Sequence, residues 1–146
     1  MYDELKLDNQ LCFPIYLCCK EIIKKYSFYL DEIDLTYTQY IVMMYLWEKR
    51  KSSLRDIGKK LLLESSTLTP LVKRLELKGY LIREKDLEDS RNLIIRITDK
   101  GLNLRSKALN IPSCIGDSIN LSDEDALALY DILYKILRNM EVINYD

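Results

Sequence analysis

The sequence contains no histidine at all. That removes serine and cysteine nucleophiles activated by an imidazole, together with every zinc site that needs a histidine ligand. Glycine and proline are scarce, four and three residues, which argues against disorder, collagen-like repeats and a loop-rich all-β design. No apolar run approaches the roughly 18 residues of a membrane span, and the acidic start Met1-Tyr2-Asp3-Glu4 does not read as a signal peptide. A cytosolic chain with reduced thiols is therefore expected. Excess charge of one sign is missing too: 22 bases face 23 acids, for a net of −1. Taken whole, the chain has no pull toward nucleic acid or an anionic surface.

What is present is a globular chain of 146 residues, 48% hydrophobic, with eleven tyrosines and four cysteines. The length suits one domain, or one subunit of a small oligomer. Cys12, Cys18, Cys19 and Cys114 make no C-x-x-C pair, so a structural metal site is not expected, and nor is any cofactor. The near-zero charge also hides a partition. Residues 1–49 hold five bases and eight acids, residues 50–107 fifteen and eight, and residues 108–146 two and seven. A basic middle between acidic ends fits a DNA-reading module flanked by non-contacting helices; solvated helix faces would show the same pattern.

Periodicity places a long amphipathic helix over roughly 8–30, its regular part beginning near Phe13 with Pro14 in the first turn. Cys12 then lies at the helix start, where the dipole favours a thiolate. Thr36-Tyr37-Thr38-Gln39 is a capping-box pattern opening a second helix. Ser53 starts a short helix ending near Leu61, and Ser65 or Ser66 caps another that Gly79 closes. Tyr80–Glu84 and Leu93–Ile97 read as the strands of a hairpin. Thr98-Asp99 opens a helix that Pro112 interrupts, and Ser122-Asp123-Glu124-Asp125 opens the last. This order is mainly α with a small β-hairpin wing: a winged helix-turn-helix. The expected organisation is an N-terminal dimerisation and sensor helix (1–35), a DNA-binding region (36–98) and C-terminal dimerisation helices (99–146). The outer helices carry more apolar surface than so small a domain needs, which a homodimer interface built from both chain ends would use.

The residues also carry a resemblance. Asp89-Ser90-Arg91-Asn92-Leu93-Ile94-Ile95-Arg96-Ile97-Thr98 resembles the D-x-R-x-x-x-I-x-L-T wing signature of MarR-type repressors. Ser65-Ser66-Thr67-Leu68-Thr69-Pro70-Leu71-Val72-Lys73-Arg74-Leu75-Glu76 resembles the recognition helix of their organic-hydroperoxide-sensing (OhrR-like) branch. Asn9-Gln10-Leu11-Cys12-Phe13 with Tyr16, and Leu35-Thr36-Tyr37-Thr38-Gln39-Tyr40, are similar to that branch as well, so the likeness runs from about residue 8 to 113. It implies a homodimeric repressor on pseudopalindromic double-stranded operator DNA, not an enzyme. Ser65, Thr67, Thr69 and Arg74 on the recognition helix, with Asp89 and Arg91 in the wing, would make the DNA contacts. The chemistry suits those roles. Hydroxyls on the first turns of a recognition helix reach base edges and phosphates, and an arginine at a hairpin tip fits a narrow minor groove. Asp89 would hold the Arg91 guanidinium in position. The branch commonly has Asp and Gly where this chain has Glu64 and Ser66, which leaves the operator sequence open.

The resemblance further implies that Cys12 is the redox sensor. Two tyrosines of the partner subunit, at the positions of Tyr26 and Tyr37, would donate hydrogen bonds to its thiolate, and Tyr16 would line the pocket. An organic hydroperoxide would oxidise Cys12 to a sulfenic acid. Cys114 would resolve it as an intersubunit disulfide, or a small cellular thiol would trap it as a mixed disulfide. Cys18 and Cys19 are expected to be packing residues. Two other readings stay open at this stage: a MarR-type repressor released by a small apolar or phenolic ligand, and a thiol peroxidase using Cys12.

Overall fold

The computed structural model describes residues 2–143. They form two compact units, one ending at Ile111 and one beginning at Pro112. Two single 3-10 turns, Asp3–Leu5 and Leu7–Asn9, precede α1 (Cys12–Asp31), α2 (Tyr37–Lys49), β1 (Lys51–Ser53), α3 (Leu54–Leu61) and α4 (Ser65–Leu77). Then come β2 (Leu81–Lys85), β3 (Leu93–Ile97) and α5 (Asp99–Ala108) in the first unit, and α7 (Asp123–Asn139) in the second, with α6 (Ile111–Ile119) beginning at the boundary.

Helix starts follow the local chemistry. Thr36 Oγ1 accepts from the Gln39 amide at 3.3 Å while Gln39 Oε1 accepts from the Thr36 amide at 3.1 Å, a complete capping box. Ser53, Thr98 and Ser122 each accept from the third helical amide. Gly79 follows α4 at φ +77°, the left-handed position expected of it.

The sheet is antiparallel in the order β1-β3-β2, with Lys51 opposite Arg96 and Leu81 opposite Ile97. The expected hairpin is therefore present, with a third strand that sequence reasoning missed. β1 is short and polar, and its strand character comes only from pairing with β3. A second difference lies at Pro112. It occupies the first turn of α6, where its missing amide costs nothing, so it opens a helix instead of merely ending one. A third concerns α4: neither serine caps it. Glu64 holds the N-cap position without a side-chain bond, and Ser65 is the first helical residue.

Leu30, Val42, Met43, Leu46, Ile57, Leu68, Val72, Leu75, Leu81 and Ile95 are the fully buried core of the winged unit. Each such side chain contributes about 1.5–3 kcal/mol. Trp47 ties α2 to α5 through Nε1 donating to the Gly101 carbonyl at 2.8 Å. Position 101 needs glycine for a separate contact, since a Cβ there would lie 2.1 Å from the Tyr80 carbonyl oxygen.

Candidate DNA interface and thiol site

The sequence of α4 divides its two faces. Leu68, Leu71, Val72 and Leu75 point into the core, so Ser65, Thr67, Thr69 and Arg74 are left on the exposed side. The hydroxyls sit in the first two turns, and Arg74 lies in the last turn beside a cleft shared with Asp31, Asp34 and Gln39. Pro70 has no amide to give the Ser66 carbonyl, so that oxygen stays available on the same stretch of helix.

The wing is oriented from both ends. At its root, Arg83 of β2 binds Glu76 of α4 through its amide at 3.0 Å and its Nε at 2.6 Å. That hydrogen bonding holds the Glu76 carboxyl below its ordinary range. At the tip, Asp89 accepts from Arg91 three times: from the backbone amide at 3.1 Å, Nε at 3.0 Å and Nη2 at 3.2 Å. The side-chain bond is the main reason the Asp89 carboxyl is also held low. The Arg91 side chain is 88% exposed, so its guanidinium is aimed outward yet anchored.

Sequence reasoning overlooked the contribution of α3. Arg55 and Lys59, one turn apart, line an open cleft together with Ser65 and Arg91. Four groups from α3, α4 and the wing thus converge on one basic surface. The signal was present in the spacing of Arg55, Lys59 and Lys60 within the basic segment, but only the fold brings it to the wing.

Cys12 is the first residue of α1 and is exposed, with Pro14 in the same first turn. Tyr16, one turn on, is also exposed. Tyr26 and Tyr37 do come together, their ring centroids 4.9 Å apart, and Tyr40 joins them at 5.9 Å and 6.5 Å. Burial pushes all three phenols above their usual pKa, so they remain protonated hydrogen-bond donors at neutral pH. The thiol of Cys19 raises Tyr37 further. Tyr40 was missed because it sits on the core face of α2, where an aromatic residue reads as packing. Within one chain the phenols cannot serve Cys12: fourteen residues of helix separate it from Tyr26, about 21 Å at ~1.5 Å per residue. Cys114 is half-buried in the first turns of α6. Cys18 and Cys19 are exposed, so the expectation that they pack is not met within the chain.

Among the described residues no group of His, Cys, Asp or Glu side chains could hold a metal ion, and no helix is long and apolar enough to cross a membrane.

Comparison with known proteins bears on this surface. Residues 24–107 match the family of the transcriptional regulator SarA/Rot. The organic hydroperoxide resistance transcriptional regulator of Bacillus subtilis is 38% identical over 98% of this chain and 97% of its own length. SarZ of Staphylococcus aureus, an HTH-type transcriptional regulator, is 42% identical over 96% of this chain and 92% of its own. Reduced AbfR bound to DNA superposes with a TM-score of 0.78 at 33% identity, covering 94% of this chain and 96% of that one. Disulfide-formed AbfR gives 0.64 at 33% identity, covering 94% and 91%. AbfR itself is from Staphylococcus epidermidis. A MarR variant of Escherichia coli in complex with operator DNA shares the fold at a TM-score of 0.81, 21% identity and coverage of 87% and 93%. These relatives are regulators rather than enzymes. The chain belongs to the SarA/Rot family of winged-helix transcriptional regulators, MarR-like in fold and related to the organic-hydroperoxide-sensing branch.

Proposed function

We propose that this regulator is a homodimeric, redox-sensing repressor that binds pseudopalindromic operator DNA when reduced and releases it when Cys12 is oxidised by an organic hydroperoxide. The observation that carries the reading is the place of Cys12: exposed, at the first residue of a 20-residue helix. That position sets the sulfur at the positive end of the helix dipole, in a chain that has no histidine. The tyrosine cluster supplies neutral donors, and because it lies too far along α1 to serve Cys12 of its own chain, Tyr26 and Tyr37 come from a second subunit in this reading.

The DNA side of the reading places Ser65, Thr67, Thr69 and Arg74 in the major groove, and Arg91, anchored by Asp89, in the flanking minor groove. Arg55 and Lys59 add phosphate contacts. The thiolate attacks the peroxide O–O bond, giving a Cys12 sulfenic acid and an alcohol once the leaving oxygen takes a proton. The Cys114 thiol of the partner subunit then displaces water to form a disulfide; where it does not, a small cellular thiol does so. AbfR supports the coupling of disulfide to shape. This chain is similar to the reduced DNA-bound form at a TM-score of 0.78 and to the overoxidised DNA-bound form at 0.77, but to the disulfide form at only 0.64, which favours disulfide formation over oxidation alone as the step that changes shape.

Mass spectrometry of the protein after mild oxidation with an organic hydroperoxide tests the chemistry. A Cys12–Cys114 linkage, or Cys12 carrying a small thiol, is expected. An unmodified Cys12 in protein that has lost DNA binding would overturn the redox reading.

A further inference from the structure

The sheet order leaves β2 with a strand on one side only. β3 is held by β1 as far as Ser53 opposite Ile94, whereas the other edge of β2 pairs with no strand among the described residues. Such an edge presents unpaired amides and carbonyls. Arg83 lies opposite Ile95, and its amide is turned to that open edge. Glu76 fills the place a further strand would take. One carboxylate oxygen accepts from the Arg83 amide at 3.0 Å and the other from Arg83 Nε at 2.6 Å. The Arg83 and Glu76 side chains are 28% and 30% exposed, so the pair is partly shielded from salt.

The clamp sits where the wing leaves the core. Below it, the turn from α4 to β2 is closed by the Gly79 amide on the Glu76 carbonyl at 2.8 Å and the Tyr80 amide on the Leu75 carbonyl at 3.1 Å. Leu81, Ile95 and Ile97 are buried there. Above it, no residue from 84 to 94 is buried. The hairpin beyond Arg83 is therefore held mainly at its two edges, by β1 on one side and Glu76 on the other. The Asp86 amide donates to the Asn92 carbonyl, which sets Arg91 about four residues beyond Arg83, roughly 14 Å at ~3.4 Å per residue. A tilt of about 15° at the clamp would carry Arg91 about 3.6 Å, close to the ~3.4 Å rise of one base pair.

We propose that Glu76 is a positioning residue for DNA binding: by occupying the free edge of β2 it fixes the wing against α4 and so sets the spacing between the major-groove and minor-groove contacts. The proposal rests on the reading that Arg91 enters the flanking minor groove. Glu76 itself touches no DNA in this account and acts through Arg83. Asp89 fixes the Arg91 guanidinium on the wing; Glu76 fixes the wing on the helix.

Two duplexes carry the test: the full operator, and one shortened at both ends to remove the flanking minor-groove steps. Glu76→Ala is expected to weaken binding to the full duplex by about fivefold or more, within what losing Arg91 costs, and to change binding to the short one by less than about twofold. In an Arg91→Ala background the same substitution costs nothing further on the full duplex. Glu76→Gln keeps an oxygen for the Arg83 amide but gives up the bond to Nε, and should fall between wild type and alanine. Amide relaxation of the DNA-free protein reads the placement itself. In Glu76→Ala, order parameters of residues 86–92 should drop below about 0.6 while those of residues 65–75 stay near about 0.85. Equal losses on the two duplexes, or a wing as ordered as in wild type, would overturn the proposal. A loosened wing in Glu76→Ala, with wild type and Arg91→Ala each binding both duplexes alike, keeps the clamp and sinks the minor-groove reading.

Discussion

Replacing Asp89 by alanine separates two accounts of the wing by the sign of its effect. Electrostatics alone makes a carboxylate beside DNA unfavourable, so its removal should tighten binding, and by only a few fold at physiological salt, where the screening length is about 8 Å. The structure argues the reverse. Asp89 holds Arg91 by three hydrogen bonds, two of them to the guanidinium. A freed arginine side chain regains up to about 2 kcal/mol of rotamer entropy, which binding must take back. With about half of that lost again on DNA, affinity falls roughly fivefold per wing, or about 25-fold for the proposed dimer. Fluorescence anisotropy on an operator duplex at fixed salt measures it. Arg91→Ala supplies the control: it weakens binding by about tenfold or more per wing and makes the salt dependence shallower by about 1.8 in log-log slope, one neutralised phosphate per wing. In that background Asp89→Ala has nothing left to orient and leaves binding unchanged or slightly tighter. Tighter binding by Asp89→Ala with Arg91 intact would refute the positioning argument.

Three further outcomes follow from the fold. Gly101→Ala, which in most helices would stabilise, is expected to cost about 2–3 kcal/mol by overpacking, because its Cβ would meet the Tyr80 carbonyl and Ile97; an unchanged or raised denaturant midpoint would contradict it. Thr36→Ala removes half of the capping box and should cost about 1 kcal/mol in the same assay. Alkaline pH should also destabilise the protein. Tyr26, Tyr37 and Tyr40 have raised pKa values in the folded state, so the unfolded chain ionises first and their contribution, complete below about pH 10, is lost as pH rises through the folded values. Thermal melts from pH 8 to pH 11 should show the fall, and Tyr37→Phe should flatten it.

Much of this fold was legible because the decisive chemistry is local. Thr36, Ser53, Thr98 and Ser122 each sit three residues before the amide they satisfy, and Gly79 marks a turn that needs a positive φ. Asp89 and Arg91 are two residues apart, so their bond could be anticipated from spacing alone. What escaped was set by distant parts of the chain. β1 is a strand only because β3 lies beside it. Arg55 and Lys59 join the wing surface only once α3 and the hairpin are folded. Pro112 was read by its power to end a helix, although the same fixed φ suits the first turn of the next one. Tyr40 was hidden by its own burial. The exposure of Cys18 and Cys19 reflects α1 standing largely outside its own chain's core, a property of tertiary packing that no periodicity within α1 reveals.

The central claim is that oxidation of one thiol controls DNA binding, and an operator titration with and without an organic hydroperoxide tests it most directly. Reduced wild-type protein should bind and the oxidised protein should release, with a reducing thiol restoring the complex, while Cys12→Ser should bind equally well in both conditions. Release of the Cys12→Ser protein by the oxidant, or a wild-type complex that the oxidant leaves intact, would contradict the account.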